Sequence, residues 1–339
     1  MYKRLIALLM TAMMLLTVGC GGDTQSNADQ SKQQGATLMI YTSMKESLIG
    51  GIVNGFKAKY PDINVDYQSA GAGKIMAKLD AEKQSGGIMA DIIWTSEVPD
   101  FYMMKDEGLL EPFRPSTFDE LINPFDDYDG SFTAVRLGTL GIVINTESVP
   151  TPPTSWEEIA ASPDYKNMFG IADPALSGTA YMSVALLEKQ FGWDYLVRLH
   201  DNGAMKSKGS GRVIEDTANG TLKACLGVDY ITASKIDKGD PLKMIYPHEL
   251  IMVPSPVAIF KQSKHMDAAK KFVDYMVSQE AQQMVANAGT VPVRRDVLIP
   301  EKYNLPDPDT AFNNCIKIKY TEILPHKEET IQKFSELFK

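Results

Sequence analysis

A regular alternation of short β-type runs and amphipathic helical stripes, starting at Thr37, constrains this chain more than any other feature. Thr37–Thr42 (TLMIYT) is β-rich, and residues 45–60 then place Leu48, Ile49, Ile52, Val53 and Phe56 on one helical stripe that Pro61 stops. Ile63, Val65 and Tyr67 alternate with polar residues as a strand does. A loop at 69–73 opens a second helix with Ile75, Met76 and Leu79 inward, and residues 91–94 form a third strand. Strand, helix, strand, helix, strand predicts a parallel sheet, and ligands of such sheets bind beyond the carboxyl ends of the strands. Thr42-Ser43, the 69–73 loop and Thr95-Ser96 therefore converge, and all are small, hydroxyl-bearing or glycine-rich.

A second unit begins near Gly141. Residues 141–145 (GIVIN) read as a buried strand, and a Pro-rich stretch at 149–153 leads to a helix capped by Thr154 or Ser155 with Glu157 and Glu158 in its first turn. Further strands fall at 169–172 and 224–228 and helices at 179–191 and 213–219. Residues 251–260 (IMVPSPVAIF) are extended and apolar, and two helices, at 266–277 and 279–288, close the pattern. Two α/β lobes follow, the chain crossing between them near 138–145 and 248–258, each crossing a hinge strand.

The head of the chain bears on location. Lys3 and Arg4, about fourteen apolar or small residues from Leu5 to Val18, and Gly19 before Cys20 have the form of a secretory leader, too short to span a bilayer. Leu16-Thr17-Val18-Gly19-Cys20 resembles the lipobox of bacterial lipoproteins, with the usual Leu one place early. That resemblance implies cleavage before Cys20 and a diacylglycerol on its thiol; without it, the leader is that of an ordinary secreted protein. Residues 21–36 contain no aromatic, Leu, Ile or Val and read as a flexible tether. Loss of Lys3 and Arg4 leaves a formal charge of −11 against −9 for the whole chain, with no basic stretch suited to nucleic acid. The remaining cysteines, Cys225 and Cys315, have neither disulfide-framework nor metal-knuckle spacing and read as quiet buried thiols.

Catalysis finds little support. His200, His248, His265 and His326 lie outside any zinc-hydrolase pattern, and no nucleophile elbow occurs. Gly71-Ala72-Gly73-Lys74-Ile75-Met76 starts like a dinucleotide fingerprint but fails at its sixth position. It fails as a nucleotide phosphate loop because Gln68 and Ile75 stand where Gly and Ser or Thr are required. What remains is a glycine loop opening a helix, whose amides and dipole hold an anion. Ser177-Gly178-Thr179 opens another helix, as N-caps or as anion ligands, and Gly209-Ser210-Gly211-Arg212 opens a third with a guanidinium fit for phosphate. Trp94 and Tyr230 are wall or core, and Asp229 and Glu249 are surface acids or partners for a ligand ammonium or sugar hydroxyl.

Together, Tyr41-Thr42-Ser43, residues 69–74 and 90–94, 138–145, 173–180, Val228-Asp229-Tyr230 and Pro254-Ser255-Pro256 resemble the solute-binding lipoproteins of ATP-driven (ABC) importers. The resemblance is to the branch with ferric-iron, 2-aminoethylphosphonate and hexose-phosphate binding proteins. It implies the type 2 periplasmic-binding fold, two α/β lobes joined by hinge strands, with no catalytic activity and no cofactor. It divides the chain into a leader (1–19), lipidated Cys20 and tether (20–36), lobe 1 (37–140 and 256–339) and lobe 2 (141–255). It implies a ligand held by Ser43, Ala72, Gly73, Thr95, Ser96, Ser177, Gly178, Thr179, Arg212, Asp229, Tyr230 and Glu249, and delivery by a monomer to a membrane permease at the outer face of the cytoplasmic membrane or in the periplasm. Ferric-binding members carry two consecutive tyrosines where this chain has Asp229-Tyr230-Ile231, so iron would fall to Tyr230, Asp229 and Glu249. The favoured solute is a small anion or zwitterion, a phosphonate such as 2-aminoethylphosphonate or a sugar phosphate, with Asp229 and Glu249 on its organic end. A surface-anchored phosphohydrolase and a protein-binding receptor or adhesin are the other classes.

Overall fold

Alternation of buried and exposed side chains gives way, in the computed structural model, to strands buried on both faces, as a helix-covered parallel sheet requires. The structure describes residues 37–126 and 128–339, so the leader, Cys20 and the tether lie outside the described residues. In chain order the first half runs β1 (Thr37–Thr42), α1 (Glu46–Lys59), β2 (Asn64–Ser69), α2 (Ala72–Gln84), β3 (Ile92–Trp94), α3 (Val98–Asp106) and β4 (Leu110–Glu111). Then follow β5 (Thr133–Asn145), α4 (Trp156–Ala161), β6 (Phe169–Ala172), α5 (Gly178–Phe191), α6 (Trp193–Asp201), β7 (Met205–Ser207), α7 (Ser210–Ala218), β8 (Ala224–Val228), α8 (Asp229–Ile236) and β9 (Leu242–Ile245). The chain returns through β10 (Ile251–Phe260), α9 (Met266–Met276) and α10 (Gln279–Asn287), and continues into α11 (Pro308–Asn314), α12 (Tyr320–Ile323) and α13 (Lys327–Leu337).

The two lobes repeat one topology. In the first, β2, β1 and β3 are parallel, and β10 lies antiparallel to β3 and to β4. In the second, β7, β6 and β8 are parallel, and β5 lies antiparallel to β8 and to β9. Each lobe thus takes its antiparallel strand from one of the two long segments that join the lobes. Those two, β5 and β10, also pair with each other, Ile251 facing Leu140 and Val257 facing Thr133, with a register slip between Pro254 and Pro256. Proline cannot donate to a ladder, so Pro-Ser-Pro places the irregularity there.

Hydrophobic burial does the rest. The α1 stripe expected from sequence, Leu48, Ile49, Ile52, Val53 and Phe56, is wholly inside, each side chain contributing about 1.5–3 kcal/mol. Trp94 is also completely buried, so it is core and not a wall of any cleft. Cys225 and Cys315 are buried and form no disulfide, and burial pushes the Cys225 thiol up to about 12.

Two expectations need correction. β5 starts eight residues before Gly141, because Arg136 and Gly138 interrupt an apolar pattern that nonetheless belongs to one buried strand. The elements do not end at residue 288, since α11, α12 and α13 follow. The expected cap of α4 is present: of the two candidates it is Ser155, its Oγ accepting the Glu158 N–H at 3.2 Å, while Thr154 turns its own N–H to the Glu158 carboxylate at 2.9 Å.

Candidate functional site

The carboxyl ends of the parallel strands meet the first turns of the helices that follow them, and between the lobes this leaves a cleft of ≈ 490 Å³. Ser43 and Met44 come from the end of β1, Ser69 and Ala70 from β2, Ser96 from β3, Lys208 from β7 and Val228 from β8. Lys45, Gly71-Ala72, Ser177-Gly178, Gly209-Ser210 and Tyr230-Ile231 open α1, α2, α5, α7 and α8 on the same space. The first amides of a helix lack intrahelical acceptors and carry the positive end of its dipole, so this arrangement favours negative charge.

On the second lobe three hydroxyls form a triangle. Ser177 Oγ stands 3.0 Å from Thr179 Oγ1 and 3.0 Å from Ser210 Oγ, and Thr179 Oγ1 stands 3.1 Å from Ser210 Oγ. Ser177 caps α5 as well, accepting the Ala180 N–H at 3.4 Å, so the capping and ligand-facing readings coexist in one side chain. Gly178 is required: a Cβ there would sit 2.8 Å from Glu97 Cβ.

The charged side chains that line the cleft are all cationic. Lys45, Lys74, Lys208, Arg212 and Arg136 line it, and none of its lining residues is an Asp or Glu. Arg212 is held by Asp216 on its own helix at 2.7 Å, and Arg136 by Asp229 at 3.0 Å. Among the described residues the three lysines have no carboxylate partner at ion-pair distance.

Arg136 forms the floor and is fully buried. Its Nε donates to Ser255 Oγ at 2.8 Å, one terminal nitrogen donates to Thr290 Oγ1 at 2.7 Å, and the other to Ser96 Oγ at 3.3 Å. Ser96 and Ser255 hydroxyls are 2.7 Å apart. Asp229 is the counter-ion, accepting also the Thr139 N–H at 2.8 Å and the Thr290 hydroxyl at 2.6 Å. The guanidinium packs over the Tyr230 ring, whose hydroxyl accepts the Lys45 N–H at 3.2 Å across the lobes. Burial raises the Tyr230 phenol above its ordinary value, more than Arg136 lowers it.

Of the residues expected from sequence, the structure brings Ser43, Ala72, Ser96, Ser177, Gly178, Thr179, Arg212 and Tyr230 to the cleft. Four lie elsewhere. Gly73 faces lobe 2 backbone, a Cβ on it falling 2.6 Å from the Ala175 carbonyl oxygen. Thr95 is buried with its hydroxyl unpartnered. Asp229 lies beneath the floor, its oxygens consumed by Arg136, Thr139 and Thr290, and Glu249 lies outside the cleft near His248. Neither acid lines the cleft. Of the three residues named for ferric ion, Tyr230 alone lines the cleft. Lys45, Lys74, Lys208 and Arg136 were not anticipated; a single Arg inside a strand otherwise buried and apolar was the available signal for the last.

A family profile described as bacterial extracellular solute-binding protein matches residues 88–314. A putative 2-aminoethylphosphonate-binding periplasmic protein of Salmonella typhimurium is 23% identical over 251 residues, covering 70% of this chain and 72% of the relative. The periplasmic binding protein AfuA of Actinobacillus pleuropneumoniae, solved with fructose-6-phosphate bound, superposes with a TM-score of 0.75 at 26% identity over 89% of this chain and 98% of that one. Iron-bound HitA of Pseudomonas aeruginosa shares the fold, with a TM-score of 0.74 at 21% identity over 89% and 99%. With two lobes of repeated topology, a cleft at the carboxyl ends of their strands and these relatives, the chain belongs to the bacterial extracellular solute-binding proteins.

Proposed function

We propose that this chain is the lipid-anchored solute-binding component of an ABC importer, capturing a small organic phosphate or phosphonate between its lobes and delivering it to the permease. The observation that carries the reading is the lining of the cleft, which has five cationic side chains, a triangle of hydroxyls at helix starts and no carboxylate. Phosphate and phosphonate oxygens suit such a surface, since charge-assisted hydrogen bonds are about twice as strong as neutral ones. The support rests on the anionic end of the solute, because Asp229 and Glu249 lie elsewhere. Residues 37–140 with 256–339 and residues 141–255 are the two lobes of this reading, and the solute favours closure only through contacts with both.

Cys20 supplies the anchor in this reading, on the strength of its sequence context, and holds a monomer at the outer face of the cytoplasmic membrane or in the periplasm. The ferric alternative loses ground because Tyr230 is a buried phenol with its pKa raised and Asp229 is committed to Arg136. A phosphohydrolase would need an activated nucleophile near the hydroxyl triangle, and Ser177, Thr179 and Ser210 bond to one another with no base among them.

Thermal melting tests the proposal. Inorganic phosphate, fructose 6-phosphate, 2-aminoethylphosphonate and ferric citrate are each added to the protein. A cognate ligand at a hundred times its dissociation constant stabilises by about 2.7 kcal/mol. A rise with a phosphate or phosphonate is expected; a rise with ferric citrate alone overturns the substrate class.

A further inference from the structure

Charge balance within the cleft goes further than the choice of a phosphate. Arg212 is offset by Asp216 and Arg136 by Asp229, which leaves Lys45, Lys74 and Lys208 as lining cations with no carboxylate at ion-pair distance among the described residues. Glu97, a buried acid beside Gly178, is already paired with Lys327. A phosphate monoester carries about −1.5 to −2 near neutral pH, short of the charge those three ammoniums present. Two of them, Lys45 and Lys74, stand on the first lobe, while Lys208 and the hydroxyl triangle stand on the second. Lys45 reaches across the cleft, its Cε 4.0 Å from where a Cβ on Gly211 would be.

An ammonium on the solute would find hydroxyls and the Tyr230 ring in the cleft but no carboxylate to balance its charge. Its counter-charge would have to be a carboxylate, and no Asp or Glu lines the cleft. Placed among three lysines, a cation is repelled by each of them, and the cost grows as closure expels water and lowers the local dielectric. A second anion meets the opposite situation and gives both lobes a charged contact that is complete only when they close.

We infer that the solute carries a second anionic group besides its phosphate or phosphonate, a carboxylate or a further phosphate, and no ammonium. This rests on the anion-binding reading above. The first anionic group sits at the Ser177, Thr179 and Ser210 hydroxyls and the second faces Lys74 and Lys45 of the first lobe.

Calorimetric titration of the full-length protein with four phosphonates on one two-carbon spacer tests this. The distal group is a methyl-bearing end in propylphosphonate, an ammonium in 2-aminoethylphosphonate, a carboxylate in 3-phosphonopropionate and a second phosphonate in ethane-1,2-diphosphonate. At least one doubly anionic compound is expected to bind about ten-fold or more tighter than 2-aminoethylphosphonate, and which of the two is tighter separates carboxylate from phosphate. Lys74→Gln should shrink that preference several-fold, weakening the doubly anionic compound more than propylphosphonate. Equal or tighter binding of 2-aminoethylphosphonate overturns the second anion while leaving the anion site standing. Failure of all four, with inorganic phosphate and fructose 6-phosphate also inert, overturns the anion site itself.

Discussion

Asp229 illustrates how much one residue's meaning depends on a partner far away in sequence. It follows a strand and precedes Tyr230, the position of a ligand-facing acid, yet its oxygens are taken by Arg136, 93 positions earlier on β5, and by the hydroxyl of Thr290. Both members of the ion pair have fully buried side chains. Breaking such a pair by removing one charge typically costs about 3–5 kcal/mol, because the remaining charge stays buried without compensation. Asp229→Asn should therefore lower the unfolding free energy by about that much in a denaturant titration. Glu249→Gln, at a partly exposed side chain outside the cleft, should change stability and affinity little. A destabilised Glu249→Gln with an unaffected Asp229→Asn would contradict this assignment. Sequence shows the acid and the arginine separately; only the antiparallel pairing of β5 with β8 and β10 puts them together.

At the level of elements, the strand and helix alternation was readable because each run has its own period, and the first β-α-β-α-β unit emerged with its inward residues intact. Gly71-Ala72-Gly73 was harder. A glycine run opening a helix suggests an anion cradle, and Gly71 and Ala72 do line the cleft. The absence of side chains at both glycines, however, also lets the second lobe approach: a Cβ on Gly71 would collide with the Leu176 carbonyl oxygen, and one on Gly73 would lie 2.6 Å from that of Ala175. No local pattern distinguishes a glycine facing a ligand from one facing another lobe. The two roles separate experimentally through Gly73→Ala. The clash with the Ala175 carbonyl offsets the roughly 0.5–1 kcal/mol by which alanine favours the α2 helix, so ligand-free stability should change little. Closure against Ala175 should suffer, weakening phosphate-ester or phosphonate binding about ten-fold by calorimetry, an effect of about 1.4 kcal/mol. Unchanged affinity would mean that the close approach of Gly73 to Ala175 plays no part in closure.

Across the whole molecule, the last three helices do what the sequence pattern did not disclose. Tyr320 of α12 stacks on Tyr102 of α3 in the first lobe, while the Tyr181 hydroxyl of α5 donates to the Ile323 carbonyl at 3.0 Å and Lys333 of α13 meets Glu188 of α5 at 3.5 Å. Where this strap crosses the lobes, Lys327 contacts both Glu97 and Asp100, the latter at 2.6 Å. The two acids are buried together beside Tyr181, and Asp80 adds repulsion to Asp100. Burial pushes the Glu97 carboxyl up to about 7, repulsion from Asp100 adds to it, and Lys327 opposes both; burial likewise raises Asp100. Each acid therefore binds a proton more readily in the folded protein than in the unfolded chain. For Glu97 the stabilising proton uptake begins as pH falls through about 7 and is complete below its ordinary value of 4.5. The melting temperature should rise on going from mildly alkaline to mildly acidic solution, and Glu97→Gln should flatten that rise, because glutamine does not titrate. An unaltered slope in Glu97→Gln would place the proton elsewhere. Since Glu97 also packs against Gly178 at the start of α5, acidification acts on the contact between strap and lobes beside the ligand-facing helix, and not on the distant surface.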